Sequence, residues 1–184
     1  MASVWCSSAL VLCLALAATS ASAGVYATQE EALHDAFPDA EVIEAKSYVL
    51  DDAQASRVRE LAETELERKI WTVHTARRGG EVLGYALLDV RTVRTFPEAL
   101  LIALTPDGAL RSVRVIAFHE PTEYQPPERW LALLAGKRLG PELHLKRDIQ
   151  QIAGATLSSQ SVMRAVRTAL ALYQVVIHDQ NSAG

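Results

Sequence analysis

Cysteine is almost absent from this sequence. The chain of 184 residues contains two cysteines, Cys6 and Cys13, and both lie near the amino terminus. That stretch resembles a secretory signal, because an apolar run over residues 9–18 precedes small residues ending at Ala23, where we expect cleavage. A mature chain cut there contains no cysteine, which excludes disulfides, cysteine-ligated zinc, iron–sulfur clusters and thiol nucleophiles. Any redox function therefore needs a bound cofactor.

The predicted signal over residues 1–23 also lacks Lys and Arg ahead of its apolar run. The run is much shorter than the ~20 residues of a membrane-spanning helix, which favours removal over a retained anchor, although both alternatives stay open. Cys13 is not expected to be lipidated, because Leu12 is bulky where lipidation sites have a small residue. We expect export, for example to the periplasm, and a single domain over residues 24–184.

The sequence also lacks a large excess of positive or negative charge. The formal net charge is −4, and no basic run extends beyond two or three residues. Such a surface does not attract a phosphate backbone, so nucleic acid is excluded as a partner. With 49% hydrophobic residues and 22% charged residues, the chain can instead bury a proper core.

Common catalytic motifs are missing too. There is no Gly-x-Ser-x-Gly elbow, no Walker loop and no Gly-x-Gly-x-x-Gly turn, which argues against hydrolase, nucleotide-hydrolysing and Rossmann functions. The histidines show no His-Glu-x-x-His spacing or other metal-binding pattern, so no metal site is expected. They are His34, His74, His119, His144 and His178.

Two helices are predicted in the first third of the chain. Thr28 is a suitable N-cap for a short helix that ends at Phe37-Pro38. A second helix is predicted from Asp52 to Lys69, because apolar residues recur there at steps of three and four. These residues are Val58, Leu61, Ala62, Leu66 and Ile70.

The middle of the chain favours strands. Residues 71–76 and 81–90 flank a Gly-containing turn, and residues 99–105 and 110–118 flank Pro106-Asp107-Gly108, so two hairpins are predicted. The fold class is therefore α+β, with an antiparallel sheet of about four strands packed against helices. A proline-rich loop over residues 119–127, a short helix ending at Gly136 and a final amphipathic helix should follow.

The segment Gly154-Ala155-Thr156-Leu157-Ser158-Ser159 lies directly before that final helix, predicted to begin near Ser158 or Ser159. A helix amino terminus offers unpaired N–H groups and positive potential, and small residues let phosphate oxygens approach the backbone. Hydroxyls can donate to phosphate or form an ester with it. The residues alone favour an ordinary capped turn over a phosphate site, since Ser and Thr are the commonest N-caps.

This segment resembles the Ser/Thr-Gly-Ala-Thr signature of the FMN-binding domain family, which includes the C subunit of sodium-pumping NADH:quinone reductase, the Rnf complex G subunit and nitrous-oxide-reduction flavoproteins. Further similarities follow in the family's order, so the resemblance extends from about Thr28 to Val176. They are Gly84-Tyr85-Ala86, Asp107-Gly108, His119-Glu120-Pro121, Trp130-Leu131 and Gly136-Lys137.

The resemblance implies FMN as the cofactor. It implies a phosphoester to Thr156, made outside the cytoplasm by a flavin transferase, with the neighbouring signature residues around the phosphate. It also implies that Glu120, Pro121 and Tyr124 border the flavin ring. Trp130 and Lys137 are further candidates for flavin contact. The alternatives are a core role for Tyr124 and Trp130, capping of local backbone by Glu120, and a helix-end role for Lys137.

Two positions depart from the family pattern. Gln150 replaces the usual acidic residue six positions before the acceptor, and Ala153 replaces the usual Ser or Thr. Non-covalent FMN in the same pocket therefore stays open beside the phosphoester.

Two functions are expected on this basis. The first is an electron carrier between a membrane donor and a periplasmic redox partner. The second is a binding or assembly module of a redox complex that keeps the fold without redox turnover. In both cases the protein is a component of a redox system rather than a stand-alone enzyme.

Overall fold

The computed structural model describes residues 24–178, so the predicted signal over residues 1–23 lies outside the described part of the chain. A six-stranded antiparallel sheet forms the centre of the fold, in the order β1-β6-β5-β4-β3-β2. The strands are β1 (Gly24–Val25), β2 (Val42–Val49), β3 (Ile70–Arg78), β4 (Glu81–Thr92), β5 (Pro97–Leu104) and β6 (Leu110–Phe118).

The α+β class and the antiparallel sheet are confirmed, and the two predicted hairpins correspond to β3–β4 and β5–β6. The predicted number of about four strands is wrong, because β1 and β2 add one strand at each edge. β1 has only two residues, too few for a sequence pattern. β2 is an edge strand exposed along most of its length, so it lacks the alternation of buried and exposed residues that marks a strand.

Four α-helices accompany the sheet: α1 (Gln29–Ala36), α2 (Asp52–Ala62), α3 (Glu128–Leu131) and α4 (Thr156–Leu172). A 3₁₀ turn, Ala132–Leu134, extends α3, and Tyr173–His178 continues α4 as a π-helix. No helix of the described region is long and apolar enough to cross a membrane.

Helix α2 is shorter than the sequence predicts. It ends at Ala62 because Glu63 adopts a left-handed conformation with φ 52°. The buried Arg167 of α4 donates to the carbonyl oxygens of Leu61 and Ala62, which satisfies the end of the helix. The predicted continuation fails at Ile70, which is exposed and already belongs to β3.

Two apolar clusters cover the two faces of the sheet. The larger one packs α2 and α4 against one face, and its centre includes Leu87, Ile102 and Val166. The smaller one packs α1 against the opposite face through Leu33 and Phe37. The final helix is thus held between the sheet and α2, with almost every residue from Ser161 onward buried. This burial fixes the position of its amino terminus.

Candidate functional site

The amino terminus of α4 has no side-chain cap. Helix α4 begins at Thr156, two residues before the predicted start, and Ala155 occupies the N-cap position. Among the described residues, no acceptor pairs with the N–H groups of Thr156, Leu157 and Ser158. Three unpaired donors therefore face outward from the first turn of the longest helix.

The other two long helices differ in this respect. Thr28 and Glu31 form a complete capping box at α1, and Asp51 and Gln54 form one at α2. The four hydroxyl-bearing residues of α4's first turns could supply the same cap, but Ser159 instead donates to the carbonyl oxygen of Ala155 at 2.6 Å. The alternative of an ordinary capped turn is therefore not what the structure contains.

A cavity of about 260 Å³ opens over this uncapped turn. Its lining combines most of the signature with two residues from other loops: Arg94, Tyr124, Gly154, Ala155, Thr156, Leu157 and Ser158. Gly154 has φ 84°, a left-handed conformation that favours glycine and brings the backbone into the turn. Leu157 is 41% exposed, so the rim of the cavity includes an apolar side chain open to solvent.

Arg94 supplies positive charge at the same cavity as the helix terminus. It lies in the loop between β4 and β5, and its guanidinium is 5.1 Å from the ring centroid of Tyr124. No salt bridge within 4 Å joins Arg94 to a carboxylate of the described residues, although its charge interacts with the Glu120 carboxylate. A guanidinium and three unpaired N–H groups at one cavity are donors suited to a phosphate monoester.

Glu120 holds the Arg94 loop in place. Its buried carboxylate accepts hydrogen bonds from the backbone N–H groups of Thr95, Phe96 and Arg94, at 2.7, 3.0 and 3.1 Å. These bonds to Thr95 and Phe96 hold the pKa of Glu120 below its ordinary value, and the N–H of Arg94 adds to the effect. Glu120 therefore acts on the cavity through Arg94 and does not line it.

Trp130 and Lys137 also lie outside the cavity lining. The buried Trp130 donates from Nε1 to the carbonyl oxygen of Gln150 at 2.6 Å, and Lys137 pairs with Asp148 at 2.7 Å. Both partners belong to the loop that leads into the signature. The structure thus gives these two residues a place in holding that loop.

Of the remaining predicted residues, some line the cavity and others do not. Tyr124, at the end of a 3₁₀ turn, reaches the cavity, whereas Pro121 caps the start of that turn and does not line it. Ser159 is fully buried behind the first turn of α4. The sequence did not indicate Arg94, because nothing in Thr92-Val93-Arg94-Thr95 distinguishes a site residue from a hairpin loop. The sequence signal for this loop was Glu120, which lies close to apolar and proline residues. A carboxylate that is buried in such surroundings needs hydrogen-bond donors from another part of the chain.

The comparison with known families agrees with this geometry. Residues 97–171 match the family model described as FMN-binding domain, which spans β5, β6, the proline-rich loop, the signature and α4. The resemblance noted in the sequence is therefore confirmed over this segment. FMN is the cofactor that the family implies. The search of curated proteins found no match to the chain.

The donors at the cavity fit that cofactor. FMN ends in a phosphate, and the cavity presents one guanidinium and three backbone N–H groups to such a group. Its volume is below the ~300–1,000 Å³ of pockets that enclose a drug-sized ligand. The cavity therefore suits the phosphate end of FMN, with the rest of the molecule near the exposed rim.

Proposed function

We propose that the protein is an exported electron carrier whose FMN is joined through its phosphate to the hydroxyl of Thr156. The observation that supports this proposal is the uncapped amino terminus of α4, which lines one cavity together with Arg94. The cofactor supplies all of the redox chemistry when bound. The residues of this chain bind it, orient it and set its exposure.

The first turn of α4 binds the phosphate. The N–H groups of Thr156, Leu157 and Ser158 carry the positive end of the helix dipole, which stabilises an anion there. Arg94, which lines the same cavity, adds a charge-assisted donor. Because α4 is packed between the sheet and α2, these donors stay in position when electrons arrive or leave.

Thr156 is suitably placed for esterification. Its side chain is half-buried at the cavity, and its Oγ makes no hydrogen bond to another described residue. In the attachment step, the hydroxyl loses its proton and its oxygen bonds to phosphorus, while the leaving group of an activated flavin nucleotide departs. We assign this step to a flavin transferase, because none of the residues in the described region places a base in hydrogen-bond contact with the Thr156 hydroxyl.

The exposed rim is consistent with electron transfer. A cavity of this size encloses part of a flavin, and Leu157 and Tyr124 offer apolar and aromatic contact beside it. A flavin that is only partly enclosed can approach a membrane-bound or periplasmic redox partner closely. No separate substrate pocket is needed for this role.

The substitutions at Gln150 and Ala153 favour a second form of the same proposal. Both positions differ from the pattern that the transferase recognises, so FMN could bind the cavity without the ester. The donors that hold the phosphate are the same in the two forms. The test below distinguishes them.

The experiment is the mass of the denatured, purified chain, made in a host that exports it and contains a flavin transferase. We expect the wild-type mass to exceed that of the polypeptide by FMN less one water, and Thr156→Ala to remove this increment. Thr122→Ala, an exposed hydroxyl on a neighbouring turn, is the control and should keep it. An adduct that persists in Thr156→Ala contradicts the proposed attachment.

The other outcomes are also informative. A yellow native protein whose flavin is released by denaturation supports the non-covalent form. A colourless protein that takes up no flavin contradicts electron transfer and favours the assembly module.

A further inference from the structure

The edge of the sheet at β6 is only partly covered. Tyr26 donates its N–H to the carbonyl oxygen of Ile116 at 2.9 Å, so β1 and the following residue cover one end. At the other end, Leu110 donates to Lys137 at 2.8 Å and accepts from Gly136 at 2.7 Å. Between these two contacts, residues 111–115 pair with β5 on one side and have no strand beside them on the other side among the described residues.

The register shows which backbone groups of this gap face outward. The N–H and C=O groups of Leu110 both bond to the Gly136–Lys137 turn, so they point away from β5. Leu110 and Leu104 are therefore a pair that does not exchange hydrogen bonds. Hydrogen-bonded and non-hydrogen-bonded pairs alternate along an antiparallel ladder. At the register shift between Ala103 and Leu104, β6 contains one extra residue. When this residue is counted, the alternation places the N–H and C=O groups of Val113 and Val115 on the side away from β5.

A groove of about 670 Å³ runs along this gap. Its floor includes Val113 and Val115, and its walls are built largely from small side chains that leave space open. These are Ala32 and Ala36 of α1 on one side, and Ala132 and Ala135 after α3 on the other. The groove is therefore an open strand position lined by apolar surface, which is the arrangement that accepts an added strand.

Charged groups mark the two ends of the groove. Arg111 lies at the Gly136 end, with its guanidinium 5.2 Å from the ring centroid of Phe37, and Glu128 lies on the opposite wall near Gln125. Neither has an ion-pair partner among the described residues, whereas Arg114 between them is paired with Asp35. An occupant with an acidic group at one end and a basic group at the other would complement this pattern.

A second copy of β6 does not fit the gap. An antiparallel β6 pair centred on Val113 would extend past Leu110 and Ile116, where Gly136, Lys137 and Tyr26 already occupy the edge. The gap spans about five residues, or roughly 17 Å of strand, and both of its ends are closed. Only a short extended segment whose ends turn away can enter it.

We propose that the β6 edge is a docking site for an extended peptide segment of a partner protein. The segment has about five small or apolar residues between a basic and an acidic residue. It pairs through its backbone with Val113 and Val115 and places its carboxylate at Arg111. This site lies apart from the lining of the flavin cavity and does not depend on the flavin.

The probe is a fluorescein-labelled heptapeptide of alternating valine and threonine, with lysine at its amino end and aspartate at its carboxyl end. Binding to the purified full-length protein is followed by fluorescence anisotropy. Two further peptides carry N-methyl groups on every valine or on every threonine. Because alternate amides of a paired strand face the same neighbour, one N-methyl set should abolish binding and the other should preserve it.

Variants of the protein provide a second test of the docking site. Arg111→Gln and Ala132→Phe should each weaken binding at least tenfold, and Ala135→Leu serves if Ala132→Phe fails to fold. Ala53→Phe, on the exposed side of α2, is the control and should have no effect. The proposal is overturned if the peptide does not bind, if both N-methyl sets bind alike, or if filling the groove leaves binding unchanged. A dimer that the peptide dissociates would also overturn it, since a second copy would then be the occupant.

Discussion

Glu98 provides a quantitative test of the packing beneath α4. It lies on β5, is fully buried, and neither of its oxygens has a hydrogen-bond partner in the described region. Burial raises its pKa from 4.5 to about 7. The neighbouring Ser161 hydroxyl, Arg91 and Arg164 offset part of this effect, and Asp89 adds to it. No hydrogen bond of normal geometry joins Ser161 to the carboxyl, so we attribute the raised pKa to burial.

The magnitude follows from the two pKa values. Each pKa unit corresponds to about 1.4 kcal/mol, so ionising Glu98 in the folded protein costs roughly 3 kcal/mol. The folded state binds the proton more tightly than the unfolded state. Stability from this group is therefore complete below pH 4.5 and is lost as pH rises through about 7. Between about pH 5 and pH 8, we expect the free energy of unfolding to fall by roughly 2–3 kcal/mol from Glu98 alone.

The assay is urea unfolding of wild type and Glu98→Gln at these two pH values. Gln is neutral at both, so the variant should lack this part of the pH dependence and become the more stable protein at pH 8. Glu65→Gln is the control, because the Glu65 side chain is 93% exposed. If Glu98→Gln and wild type lose the same free energy between pH 5 and pH 8, the inferred neutral buried carboxyl is refuted.

Two other substitutions test the loop beside the site and the packing at the opposite end of α4. Glu120→Gln removes the negative charge that accepts three backbone N–H groups. We expect the free energy of unfolding in urea to fall by about 1–3 kcal/mol and FMN binding, measured by titration, to weaken. Unchanged FMN binding would contradict the role given to the Arg94 loop. Gly108→Ala places a Cβ 2.2 Å from the ring of Tyr173, at a residue with φ 78°. It should lower the free energy of unfolding by more than the ~1 kcal/mol expected for Gly79→Ala, where φ is also positive but the space is open. Equal losses of stability in the two variants would contradict this packing.

The sequence predicts the elements that have a strong periodic pattern or a local signal. The capping residue Thr28 marks α1, and apolar runs bounded by turn residues mark the central strands β3 to β6. β2 escapes prediction because an exposed edge strand has no buried face to produce a pattern. The end of α2 escapes it because Arg167, more than 100 residues away in sequence, satisfies the helix carbonyls.

The same distinction applies to the site. The signature is local, so Gly154, Thr156 and Ser158 could be recognised from the sequence alone. Arg94 could not, since its position depends on a contact between two loops that Glu120 creates. The uncapped state of α4 is likewise a property of three-dimensional structure, because the same hydroxyls could have formed a cap.

The central claim is that the first turn of α4 and Arg94 bind the phosphate of FMN. The most direct test is equilibrium dialysis of the chain, made in a host without the transferase, against FMN and against riboflavin, which lacks the phosphate. We expect one FMN per chain, bound at least tenfold more tightly than riboflavin, which corresponds to about 1.4 kcal/mol or more from the phosphate. Equal affinity for the two flavins, or no binding of either, would contradict the account.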